Sequence, residues 1–208
     1  MVRPLLRTRL RDVFLGLLGL GFPEAWGGND GDLFMTIIAA QELARCGAGG
    51  VLASLLSHTI GCPPIVNVGC NEIRRKVLPS VLRGEKISAL AITEPSGGSD
   101  VANLKTTARR DGVHFVLNGS KTFITSGMRA DFYTVAVRTG GPGAGGVSLL
   151  LVDKGTPGFT QTRLEKMGWL CSDTATLHFD ECRVPVDNLV GNENQGFKAI
   201  MLNFNRER

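Results

Sequence analysis

The residues best suited to chemistry lie in Ala89–Asp100, where an apolar run through Ile92 opens into Thr93, Glu94, Pro95, Ser96, Gly97, Gly98, Ser99 and Asp100. Three hydroxyls and two carboxylates crowd into that turn. Gly97 and Gly98 let the backbone approach a ligand closely. Free N–H groups and hydroxyls there suit a polar planar ring or a carbonyl. No Gly-Lys-Ser/Thr follows, so the turn is not a P-loop. A tight surface turn would use the same residue types. A second segment, Phe123–Gly127, offers an aromatic wall and the Thr125 hydroxyl, as beside a flat cofactor. A strand end followed by a glycine turn has the same composition.

The elements that must position these residues fall into two regimes. Residues 1–86 read as helices. Leu33 to Arg45 has helical spacing, with Asp30 or Asp32 as N-cap. Val51 to His58 reads as a buried helix, and Pro63-Pro64 opens another segment. Ile73, Val77 and Val81 recur at i, i+4 and i+8 in a helix ending at Gly84. From Ile87 the pattern becomes strands. Thr107–Arg110 and Val113–Leu117 flank Asp111-Gly112, a two-residue hairpin signal. Asn118-Gly119 reads as a second turn before Lys121–Thr125. Phe132–Arg138, Gly146–Asp153, Phe159–Lys166 and Thr174–Phe179 complete a mostly antiparallel β-domain. Gln195 to Arg208 returns to a helical period, with Phe197, Ile200, Met201 and Phe204 on one face.

Composition narrows the function classes. The chain has 208 residues, 43% hydrophobic and 20% charged, enough to bury a core. Its 27 glycines fall largely in turns, and 9 prolines are ordinary. Collagen, coiled coil and intrinsic disorder are excluded. A net charge of +4 with 6% aromatics gives no stacking surface for bases, so no nucleic-acid partner is expected. Five cysteines without a C-x-x-C, and scattered His58, His114 and His178, suggest neither a disulfide framework nor a metal site. Reduced thiols and a cytoplasmic location follow. No apolar run reaches membrane-spanning length. Arg3 to Arg11 followed by Val13–Phe22 imitates a leader, but no A-x-A-like site follows. A transit remnant there would place the protein in the mitochondrial matrix instead. The alternative for this stretch is a short helix with Leu6, Leu10, Val13 and Leu17 on one face. Gly19-Leu20-Gly21 is not a dinucleotide fingerprint, because Glu24 replaces the third glycine and Pro23 removes a donor.

In order and spacing, the chain resembles the acyl-CoA dehydrogenase family. The resemblance runs through Gly21–Glu24 with Gly27-Gly28, then Glu42–Arg45 and Thr93–Asp100. It continues through Asn118–Thr125, Cys171–Thr174, Arg183–Pro185 and Gly191–Phe197. It implies an α+β fold: a helical N-terminal domain (1–86, shortened), a mostly antiparallel β-barrel-like middle domain (87–193) and the start of a C-terminal helical bundle (194–208). The helical pattern stops in mid-flow at Arg208, so the chain is expected to be truncated before most of that bundle. Such a chain is expected to expose the face that the bundle would cover, with poor solubility or weak cofactor occupancy.

The resemblance also implies roles. FAD is the cofactor. Leu90, Ile92, Thr93, Gly98 and Ser99 would line it, with Thr93 on its pyrimidine side. Phe123 stands where many members have Trp and would pack on the ring with Ile124, while Thr125 would approach N5. Ser99, Asn205 and Arg208 would lie near an acyl-CoA substrate. Most members carry their catalytic base beyond residue 208, but a minority carry it on the first bundle helix, where Glu207 matches. A solvated or Arg-paired helix glutamate is the plain alternative. The implied reaction is α,β-dehydrogenation: a carboxylate takes the α-proton and the β-hydrogen leaves as hydride to the flavin. An electron-transferring flavoprotein would accept the electrons, and full-length members form dimers or tetramers. Two alternatives stay open: a fragment unable to hold FAD, and a flavin oxidase or monooxygenase on the same fold.

Overall fold

A computed structural model describes residues 16–207, with side chains through Phe204. The basic leader, the Leu6–Leu10–Val13 face and Arg208 lie outside these residues, as do the side chains of Asn205 and Glu207.

The first part is helical: α1 (Leu33–Ala44), α2 (Gly49–Leu55), α3 (His58–Gly61), α4 (Pro63–Val68) and α5 (Asn71–Leu82). Asp32 is the N-cap of α1, its carboxylate accepting from the Met35 N–H at 2.8 Å. Pro63 and Pro64 open α4, where a missing N–H costs nothing. Helix α5 turns Ile73, Val77, Leu78, Val81 and Leu82 inward and stops before Gly84, whose φ of 68° is left-handed. His58 ties the chain before α1 to this bundle, its Nε2 lying 2.8 Å from the Leu18 carbonyl.

Seven strands follow: β1 (Ser88–Ala91), β2 (Thr107–Asp111), β3 (His114–Thr125), β4 (Phe132–Arg138), β5 (Val147–Asp153), β6 (Phe159–Arg163) and β7 (Thr174–Pro185). They form one curled, half-barrel sheet in the order β1-β4-β2-β3-β7-β6, with β5 on β4. The sheet is mostly antiparallel, as expected, but β1 runs parallel to β4. Strand β5 lies along all of β4. The other edge of β4 is shared: β1 pairs with Phe132–Val135, and β2 joins at Arg138.

Two turn expectations are corrected. The β2–β3 pairing closes on Asp111 and His114, so the hairpin turn is Gly112-Val113, one residue later than the Asp111-Gly112 signal suggested. Gly112 takes the positive φ of 58° that the turn needs. Asn118-Gly119 is no turn at all: β3 runs straight through it, with a register shift against β7. The reason is a cross-strand lock. Asn118 accepts from the Glu181 N–H at 2.9 Å and donates to the Glu181 carboxylate at 2.7 Å. Gly119 is needed there because a Cβ would sit 2.8 Å from the Thr106 Cα.

Helix α6 (Gly196–Glu207) closes the described chain. Two cores result. One, inside the sheet's curl, holds Phe115, Leu117, Ile124, Tyr133, Leu150 and Leu177. The other lies between the sheet and the helices, with Ile65, Val77, Leu78, Ile92, Leu149 and Ile200. Helix α3 meets β1 closely: a Cβ on Gly61 would lie 3.2 Å from the Ser88 and Ala89 backbone. The β4 residue Thr134 donates to the Gly61 carbonyl at 3.0 Å.

Candidate functional site

The site begins where β4 changes partner. Between the end of β1 and the start of β2, residues 92–106 leave the sheet as a loop. One carboxylate closes its neck. Glu94 Oε1 accepts from the Thr106 N–H at 2.9 Å and from Lys121 Nζ at 2.8 Å. Its Oε2 accepts from the Lys105 N–H at 2.6 Å and from Ser96 Oγ at 3.4 Å. Lys121 also donates to the Ile92 carbonyl at 3.0 Å. The Lys121 and Glu94 side chains are only 0% and 3% exposed. Burial alone would push the Glu94 carboxyl up, but Lys121 and the two backbone donors outweigh it and hold it well below the usual range. Burial pushes the Lys121 ammonium down, with Glu94 opposing.

The same clamp brings the second segment alongside. The Thr122 N–H donates to the Thr93 carbonyl at 2.8 Å. A register shift between Lys121 and Ile124 makes a bulge, and Phe123 within it takes a φ of 58°. Its ring is 69% exposed. A bulky residue held in the left-handed region with its ring in solvent is strain of the kind that marks a ligand site. Thr93 and Thr125 are half-buried, and neither hydroxyl has a hydrogen bond among the described residues. Ser126 follows with a φ of 59° and a buried, unpartnered Oγ. An exposed apolar side chain and two unbonded hydroxyls on the same joined segments suit a flat ligand with a polar edge.

Asp173 pins the turn after β3. It accepts from the Met128 N–H at 2.8 Å and from Arg129 Nε. Arg129 reaches across to Ser54 of α2, donating at 2.6 Å. The Cys171–Thr174 segment thus ties the sheet to the helices.

The loop's far side meets α6. A pocket of about 120 Å³ lies between Ser99–Ala102 and the Phe197, Met201 and Phe204 side chains. Helix α6 is held there by fully buried Ile200 and by Asn203, whose amide donates to the Ile60 carbonyl at 3.1 Å. Glu207 lies in the next turn of the helix, three residues beyond Phe204.

Among the residues singled out from sequence, Thr93, Gly98, Phe123 and Thr125 thus stand on two joined segments, and Ser99 faces α6. Leu90 is half-buried on β1. Ile92 and Ile124 turn into the two cores, so what they offer a ligand is main chain. Sequence reasoning missed Lys121 as the partner of Glu94, and Asp173 with Arg129. A lysine inside the β-rich run Lys121–Thr125 was the signal for the first.

Residues 9–85 match the acyl-CoA dehydrogenase N-terminal domain and residues 89–182 the acyl-CoA dehydrogenase middle domain. The chain belongs to the acyl-CoA dehydrogenase family. It is 48% identical over 181 residues to an acyl-CoA dehydrogenase of Emericella nidulans, covering 85% of this chain and 41% of that one. A structure assigned as an acyl-CoA dehydrogenase of Mycobacterium smegmatis superposes with a TM-score of 0.90 at 55% identity, covering 93% of this chain and 51% of that one. Glutaryl-coenzyme A dehydrogenase in complex with glutaryl-CoA gives a TM-score of 0.89 at 31% identity over 95% of this chain and 51% of that one. This family member therefore spans about half the length of the curated relatives it matches. No single helix among the described residues is long and apolar enough to cross a membrane, and those residues contain no metal-ligating cluster.

Proposed function

We propose that this chain carries the flavin-facing and thioester-facing walls of an acyl-CoA dehydrogenase. The observation that supports this most is the joining of Thr93 to the Phe123–Thr125 bulge, which brings an exposed aromatic side chain and two unbonded hydroxyls onto adjacent segments. FAD fits that surface. Phe123 would pack on its ring system, Thr93 and Thr125 would bond its polar edge, and the main chain of Leu90, Ile92, Gly98 and Ile124 would complete the wall. When bound, FAD supplies the two-electron acceptor that the chain lacks.

The chain's own residues would do the rest. The pocket between Ser99 and α6 would take the acyl thioester, with Asn205 and Arg208 near its polar part. Its apolar lining by Phe197, Met201 and Phe204 would shield the reacting carbons from water. Glu207 would take the α-proton as general base. Donors on the thioester oxygen would stabilise the charge that develops there.

The acyl-CoA substrate rests on the family, as does an electron-transferring flavoprotein as electron acceptor. Association of like chains is supported by exposed apolar side chains on α1 and at Met167, Trp169 and Leu170. All five cysteines are unpaired, which suits a reducing compartment such as the cytoplasm or the mitochondrial matrix.

The test is a visible absorption spectrum after mixing with FAD and gel filtration. Flavin that co-elutes and bleaches on adding acyl-CoA supports the reading. Glu207→Gln should then abolish bleaching while leaving flavin bound. Bleaching that persists in the variant moves the base elsewhere. Failure of flavin to co-elute removes the proposal that this chain holds FAD by itself. Stoichiometric oxygen consumption on reoxidation would turn the reading toward an oxidase.

A further inference from the structure

We infer that the buried Glu94–Lys121 pair is a positioning device that sets the loop of residues 95–104 against the Phe123 bulge. The inference rests on the flavin-facing reading of those two segments and names what holds them in register.

Three observations carry it. First, the pair spans both segments. Lys121 is two residues before Phe123, and Glu94 directly follows Thr93. Their ion pair lies beside the bond from the Thr122 N–H to the Thr93 carbonyl. Second, Glu94 ties the two ends of the loop together. Sitting at the near end itself, it accepts from Lys105 and Thr106 at the far end and from Lys121 on β3. The ten residues between include Ser99–Ala102, one wall of the pocket against α6. Third, the loop's tip is lightly held. Gly97 has open space where a Cβ would be, and Pro95, Ser96, Gly97, Ser99 and Asp100 are exposed. The further ties, buried Val101 and Leu104 and the Arg138 bonds to the Ala102 and Leu104 carbonyls, lie toward the far end, and at the tip only Glu94 and Gly97 exchange backbone bonds among the described residues.

Chemistry explains why a charged pair serves here. Four donors converge on Glu94, and a carboxylate offers acceptors on both oxygens. A carboxamide would turn one of them into a donor facing the Lys105 N–H. An apolar replacement of similar volume could fill the space without loss of packing, since buried ion pairs seldom add net stability. What it could not do is orient the loop's two ends and the Ile92 carbonyl at once. The pair therefore acts through other residues and touches no substrate itself.

The test uses Glu94→Gln/Lys121→Met, which removes both charges together, and Glu94→Asp, which keeps the charge but withdraws the carboxylate by one methylene. Hydrogen exchange by mass spectrometry is read on the 208-residue chain without flavin, and FAD affinity by fluorescence titration. In both variants the hydrogen-bonded amides of Gly97, Asn103, Lys105 and Thr106 should exchange at least about tenfold faster, while those of β5 and β7 keep their parental protection. The FAD dissociation constant should rise about tenfold, the loss expected from roughly one hydrogen bond as the loop leaves its register with the Phe123 bulge. Unchanged loop exchange overturns the inference. So does a faster loop with parental FAD affinity, which would leave the pair a structural tie only. Uniformly faster exchange in β5 and β7 as well would also overturn it, by making the pair a global stabiliser. A parental chain with no measurable FAD affinity removes the proposal that this chain holds FAD by itself, and the role toward flavin falls with it. A parent that binds FAD beside variants that bind it as well overturns the positioning role alone.

Discussion

Helices α1 and α5 are each twelve residues long and meet opposite fates. Helix α1 is the more apolar, yet it buries none of its residues. Leu33, Phe34, Met35, Ile37 and Ile38 are 44% to 73% exposed. Helix α5 carries Asn71, Glu72, Arg75 and Lys76 toward solvent and still buries five side chains. Arrangement is not the difference. The pairs 33/34 and 37/38 of α1 have the same i, i+1, i+4, i+5 spacing as 77/78 and 81/82 of α5, so each set forms one stripe that a single partner can cover. Helix α5 has such a partner among the described residues, and the stripe of α1 does not. Apolar composition measures what a helix would gain from burial, while the facing element decides whether it gets it. A contiguous bare surface of this kind marks an interaction face or an aggregation liability.

Sealed and bare regions should respond differently to mutation, and the contrast can be pressed from its strongest point downward. The largest effect is expected from Lys121→Ala. It leaves Glu94 buried without its partner and should cost about 3–5 kcal/mol in chemical denaturation. Next, Leu78→Ala in the sealed face of α5 should cost about 2–5 kcal/mol, by lost transfer energy and a residual cavity. A loss below about 1 kcal/mol at either site would mean that the region is less sealed than its burial indicates.

Acid offers a graded version of the first test. Glu94 is held below its unfolded value, so the folded state binds fewer protons than the unfolded one. The stability it contributes is complete above the ordinary carboxylate value near ~4.3. It is lost as pH falls from there toward about 2. Denaturant midpoints measured down this range should fall less steeply for Glu94→Gln than for the parent. Parallel slopes would remove Glu94 from the acid response.

Smaller effects belong to the surface. Lys76 and Asp153 pair at 2.7 Å with side chains 40% and 38% exposed, and Lys76→Met should cost no more than about 1 kcal/mol. On bare α1, Ile38→Ser should change stability by less than about 0.5 kcal/mol while lowering binding of a hydrophobic dye. A cost as large as that of Leu78→Ala would show that α1 is covered in solution, and the contrast would fail there.

Local features were legible in the residue order because chain geometry alone imposes them. The cap of α1 could be narrowed to Asp30 or Asp32, Pro63-Pro64 read as opening a segment and Gly84 as a helix stop, and β-rich runs marked β2 to β7. The Thr93–Asp100 turn and the Phe123–Gly127 segment could each be picked out as chemical. The Asn118-Gly119 misreading shows the limit. Those two residues favour a turn locally, but Glu181 on β7 pulls them into a bulge, and a partner 63 positions away has no local signature. The same holds for Glu94 and Lys121, whose bond spans 27 positions. Ser99 meets Phe197 and Met201 only because α6 returns to the loop. Residue order determined the period, the caps and the chemical inventory, since each depends on neighbours a few bonds apart. Tertiary structure alone decided which acid met which base, which apolar helix stayed bare, and which turn became a strand, because sheet pairing brings together groups that the chain holds far apart.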